Sequence, residues 1–95
     1  MKINEKNLVG HGYTRRETDM GNQYKLIEFV VPGDIKRDIY ICVARKEFGL
    51  DFAVQAVCLN NVSYLFKNIT SMEALNRLRK NFLKITEFLD NCHDQ

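Results

Sequence analysis

From residue 12 to residue 67 the chain runs in short β-forming stretches separated by turn residues, and past residue 70 the spacing of apolar side chains changes to three and four. A period of two marks strands and a period near 3.6 marks a helix. Tyr13 to Thr18 is a polar strand, and Asp19-Met20-Gly21-Asn22 is turn chemistry, because Gly and Asn tolerate positive φ. Gln23 to Val31 is rich in β-formers and ends at Pro32-Gly33-Asp34, so 12–31 reads as a hairpin. Asp38 to Arg45 is apolar on both faces, with Ile39, Ile41 and Val43 on one and Tyr40, Cys42 and Ala44 on the other. That pattern predicts a central strand covered on both sides. Glu47-Phe48-Gly49 supplies a turn, and Asp51 to Leu59 alternates again. Asn60-Asn61 is a hairpin signal, and Val62 to Lys67 is the return strand.

The helix is the clearest element. Thr70-Ser71-Met72-Glu73 has the form of a capping box opened by Thr70. Leu75, Leu78, Phe82, Ile85 and Leu89 then form one apolar stripe, opposite Arg77, Lys80 and Lys84. The short turns favour antiparallel neighbours, and a sheet with an apolar face needs a cover. The predicted fold is therefore α+β: an antiparallel β-meander of four to five strands over 12–67, followed by one long C-terminal α-helix packed on the sheet. The whole of 1–95 forms a single domain, with 1–11 as a polar lead-in, the helix over 70–91 and a tail at 92–95.

Composition narrows the class. Hydrophobic residues make up 45% and charged residues 27%, which is globular rather than disordered. Fourteen basic against twelve acidic residues leave a net charge of +2, too small by itself to imply nucleic acid. No apolar run, Ile39 to Ala44 included, is long enough to span a bilayer, and no secretory leader is visible. The expectation is a cytoplasmic protein with no membrane contact. Cys42, Cys58 and Cys92 are odd in number and widely spaced, which argues against a disulfide framework. With that setting, the N-x-S/T matches at Asn61 and Asn68 are chance.

Candidate chemistry is sparse. His11 lies between two glycines without a nearby ligand, and Cys92-His93 falls in the tail, so no metal and no cofactor are expected. No nucleophile elbow, phosphate loop or paired zinc-binding histidines occur, and Cys42 and Cys58 read as small buried residues rather than reactive thiols. The expectation is a non-enzymatic protein-binding module that self-associates, as a dimer, because sheet and helix together carry more apolar surface than one helix hides. The residues expected at that interface are Tyr40 and Cys42 on the sheet and Leu83 and Phe88 on the helix flank. The alternative is a single-stranded nucleic-acid binder. Tyr13, Arg15, Arg16, Tyr24 and Lys25 would then lie on the sheet, with Arg77, Arg79, Lys80 and Lys84 as a basic ridge on the helix.

The order of elements, meander strands and then a helix, resembles that of small single-stranded nucleic-acid-binding folds of the whirly type. It is similar also to that of many small phage- or plasmid-encoded proteins that bind and block a host protein. The likeness lies in element order, without a shared motif. It implies an inhibitor or adaptor of a host protein on the one hand and a nucleic-acid binder on the other.

Overall fold

A computed structural model describes residues 1–21, 23, 25–36, 39–45, 52–57 and 62–93, with side chains for all of these except 36 and 89–93. Five strands form one antiparallel sheet in sequence order: β1 (Thr14–Asp19), β2 (Lys25–Val30), β3 (Tyr40–Arg45), β4 (Phe52–Val57) and β5 (Ser63–Phe66). A helix, α2 (Met72–His93), follows them, and a short helix, α1 (Glu5–Gly10), precedes them. The α+β meander expected from the pattern is the observed architecture. The turns placed at 47–49 and 60–61 lie outside the described residues.

The register explains the two faces of the sheet. Arg15, Phe29, Val43, Val54 and Phe66 stand opposite one another in a single row across all five strands. Alternation then puts Ile41, Ala56 and Phe52 on that same face. Leu75 and Met72 of α2 pack there, with both side chains wholly buried. The next row, Arg16, Glu28, Ala44 and Ala53, faces the other way. Apolar side chains on both sides of β3 had left open which face the helix takes; it takes the one bearing Ile41 and Val43.

The lead-in is more structured than its polarity suggests. Asn4 caps α1 by accepting a hydrogen bond from the Asn7 amide at 2.8 Å, and Leu8 is fully buried in the core. Six residues are too few for a helix to hold alone. Burial of Leu8, worth roughly 2–3 kcal/mol, supplies what propensity does not. Gly12, at φ 90°, lets the chain turn sharply into β1. Before α1, Lys2 bridges to Ser71, and the Met72 amide donates to the Met1 carbonyl at 2.9 Å.

The start of α2 corrects the predicted cap. Ser71, not Thr70, accepts from the amide three residues on, with Ala74 N to Ser71 Oγ at 3.1 Å. Glu73 reaches instead to the Met1 ammonium at 3.1 Å. The buried stripe is also rotated from the predicted one. Leu75 and Phe82 point inward as expected, but Thr86 is buried and Ile85 is 48% exposed. The Thr86 hydroxyl donates to the Leu83 carbonyl at 2.9 Å, so its burial leaves no polar atom unpaired.

Candidate functional site

Three places stand out, two of them polar clusters and one an exposed apolar edge. The first is on the sheet face turned away from α2. The Glu28 carboxylate accepts from Arg16 Nε at 3.2 Å and from the Cys42 thiol at 3.1 Å. The Arg16 Nη2 donates to the Tyr40 hydroxyl at 3.4 Å, and its guanidinium lies 6.0 Å from the Tyr40 ring centre. Glu28 and Cys42 are diagonal neighbours on β2 and β3, the spacing at which long side chains meet. Cys42 is fully buried, and burial together with the Glu28 carboxylate pushes its thiol well above the ordinary range. It is a hydrogen-bond donor here, and no thiolate forms near neutral pH for nucleophilic work.

The second place ties α2 to the sheet. Asp34, in the 3₁₀ turn Pro32–Lys36 after β2, is almost wholly buried and accepts from Arg79 Nε at 2.6 Å and Nη2 at 3.0 Å. One turn earlier on α2, Asn76 accepts from the Tyr13 hydroxyl at 3.2 Å and pairs with His11 Nδ1 at 2.9 Å. Burial raises the Tyr13 phenol to about 12. Each group in this set is partnered inside the fold, so it fastens elements rather than presenting them to a substrate.

The third place is the free edge of the sheet at β5. Val62, Tyr64 and Leu65 are 49%, 61% and 54% exposed, and β5 itself, Ser-Tyr-Leu-Phe, carries no charge. Register puts Tyr64 on the α2 face and Leu65 on the opposite one, so both sides of this strand show apolar surface. An open cleft of about 330 Å³ lies at its end, floored by Phe52, Leu65, Phe66 and Ile69 with Lys67 and Thr70 at its margin. The helix approaches the same edge, since the Phe82 ring meets Phe66 edge-on at 6.0 Å. Beyond it Ile85 and Phe88, 48% and 66% exposed, lie on one flank of α2, about 60° and 120° round from Phe82. The other edge, β1, is built differently. Arg15, Arg16, Glu17 and Asp19 charge it, Arg15 pairs with Glu17 at 2.6 Å and with Glu5 of α1 at 3.5 Å, and α1 packs against it. Charge and cover are how sheets blunt an edge; β5 carries no charge, and among the described residues nothing pairs with its outer side.

The residues singled out from the sequence are distributed as follows. Of the expected interface set, Cys42 is buried, Tyr40 is half-buried beneath Arg16, Leu83 is half-buried and Phe88 is exposed. Of the nucleic-acid set, Tyr13 is a core residue with no free ring face, and Tyr24 lies outside the described residues. Arg15 and Arg16 are successive strand residues and point to opposite faces, Arg16 toward Glu28. Lys25 is exposed on β2. Arg77, Lys80 and Lys84 line the solvent side of α2, but Arg79 leaves that ridge to bind Asp34. The pattern of the chain singled out neither β5 nor Ile85 as exposed. A signal was present all the same: residues 62–66 lack any charge, while 15–19 are dense with it.

Among the described residues no three His, Cys, Asp or Glu side chains converge on a metal-sized site, and no helix is long and apolar enough to cross a membrane. No known protein family matches the chain, and no curated protein or solved structure resembles it significantly.

Proposed function

We propose that this chain is a small non-enzymatic protein-binding module that self-associates, and that its contact surface is the β5 edge with the adjoining flank of α2. The observation that carries the reading is the contrast between the two edges of one sheet. β1 is charged and packed by α1, whereas β5 is uncharged, exposes apolar side chains on both faces and, among the described residues, has no strand on its outer side. An edge of that kind offers unpaired backbone donors and acceptors as well as apolar area, which makes it a template for another chain.

The exposed area supports the same reading. A compact monomer of 11.1 kDa exposes roughly 5,700 Å² by the usual size scaling. This chain exposes 6861 Å². Its radius of gyration is 13.9 Å, against about 12.4 Å expected for its length. The excess is about 1,200 Å² on one chain, against the roughly 600–1,000 Å² that a standard interface removes from each partner.

Light scattering coupled to size exclusion, run over a range of loading concentrations, tests the proposal. The mass is expected to rise from that of one chain toward two, and Leu65→Lys, at an exposed position, is expected to hold it at one without loss of fold. A wild-type chain that stays monomeric at every concentration overturns self-association. A dimer untouched by Leu65→Lys places the interface elsewhere. Salt-dependent binding of a labelled oligonucleotide would transfer the reading to the Arg77, Lys80, Lys84 stripe.

A further inference from the structure

The geometry points to a specific partner for the free edge: a second copy of this chain, joined β5 to β5 in antiparallel fashion about a two-fold axis perpendicular to the sheet. This inference rests on the protein-binding reading above and names its occupant.

Charge selects the partner. Pairing β5 with the β1 edge of another copy would set uncharged Tyr64 and Leu65 against Arg15, Arg16 and Glu17, whose charges are already matched to Glu5, Glu28 and each other. That head-to-tail contact also leaves a free edge at each end and propagates into a fibre. Pairing β5 with itself brings no charge against any other within the strand, since 63–66 has none, and it closes. It also consumes the edge that is unprotected among the described residues and leaves the two charged β1 edges outermost in a continuous sheet of twice five strands.

Parity selects the register. A two-fold axis perpendicular to the sheet keeps the α2 face of both copies on one side. Residues directly opposed in an antiparallel pair also point to the same side. Opposed residues must therefore both be even-numbered or both odd-numbered, so the axis lies midway between the two copies of a single residue, which oppose each other. Only two such registers keep most of 63–66 paired. One sets Tyr64 against Tyr64 of the second copy, and the other sets Leu65 against Leu65. Both place Tyr64 on the α2 side, where two α2 helices lie on one face of the joined sheet with Ile85 and Phe88 exposed.

The area is adequate. Half to two-thirds of each of these side chains is open, which amounts to roughly 500 Å² per copy for side chains of this size, or about 1,000 Å² in the pair. That is the lower bound for a specific interface, so the dimer is expected to dissociate on dilution.

Cysteine cross-linking of the full chain tests the geometry. Tyr64→Cys and Leu65→Cys are oxidised mildly above the dimer concentration, with the unmodified chain as control for the native thiols, and the linked peptides are read by mass spectrometry. One of the two variants is expected to give a symmetric disulfide, 64 to 64 or 65 to 65, at least about tenfold above the other and above the control, because opposed Cβ atoms in a sheet lie within disulfide reach. A dimer that Leu65→Lys dissolves but in which neither symmetric link forms overturns the β5-to-β5 geometry and leaves the interface reading standing. A strict monomer overturns both.

Discussion

Arg79 grips Asp34 with two hydrogen bonds of 2.6 and 3.0 Å, and in doing so ties the middle of α2 to the turn that ends β2. The carboxylate is nearly out of contact with water, and the guanidinium is only partly open. A bidentate arginine satisfies both carboxylate oxygens at fixed geometry, which a lysine does not.

Removing both partners is therefore expected to cost less than the two single removals added together. Arg79→Met strands a buried carboxylate, and a loss of about 2–3 kcal/mol is expected, discounted from the range for fully buried pairs because the guanidinium keeps some water. The double variant Asp34→Leu with Arg79→Met is expected to lose at least about 1 kcal/mol less than the two single losses added together. A double-mutant cycle by urea unfolding reads this coupling, and strict additivity would show that the pair contributes nothing specific.

Tyr13 gives the fold an alkaline limit. Its phenol titrates near 12 in the folded chain against 10 in the unfolded one, so the folded state holds the proton more tightly. Below pH 10 both states are protonated and stability is unaffected. Between pH 10 and 12 the unfolded chain ionises first, and about 2–3 kcal/mol is lost by pH 12. In a Cys42→Ala background, which removes the other buried acid whose titration is raised, the urea midpoint is expected to stay level up to pH 10 and then fall, with Tyr13→Phe removing much of the fall. Phenolate absorbance showing Tyr13 ionised by pH 10 in the folded protein would contradict this.

The helix cap separates two adjacent hydroxyls. Ser71→Ala removes the acceptor for the Ala74 amide and is expected to cost about 1 kcal/mol. Thr70→Ala, at an exposed position outside the helix, is expected to change stability by less than about 0.5 kcal/mol. Thermal unfolding of the two variants measures the difference, and equal losses would return the cap to Thr70.

Several of these features were legible in the chain itself. Alternation over 40–45 and 52–57 and the spacing of Leu75 and Phe82 are local properties of strand and helix, and they carried the meander and the helix into the structure unchanged. The same spacing could not choose between residues three and four apart. After Leu75 the apolar stripe took Leu78, which packs on the core, and after Phe82 it took Ile85. Asp34, 45 positions away, takes Arg79, and the fold buries Thr86 and leaves Ile85 outside.

What the sequence by itself determined is the type and order of the elements, because those depend on periodicities of a few residues. Only the tertiary structure decided which face of β3 meets the helix, that Leu8 of the polar lead-in belongs to the core, and that Tyr13 is buried while Tyr64 is open. Those outcomes depend on which strand ends up beside which. β1 and β5 become edges only when the meander is laid out in order, and the absence of charge on 63–66 acquires meaning only once that strand, among the described residues, has no neighbour on its outer side.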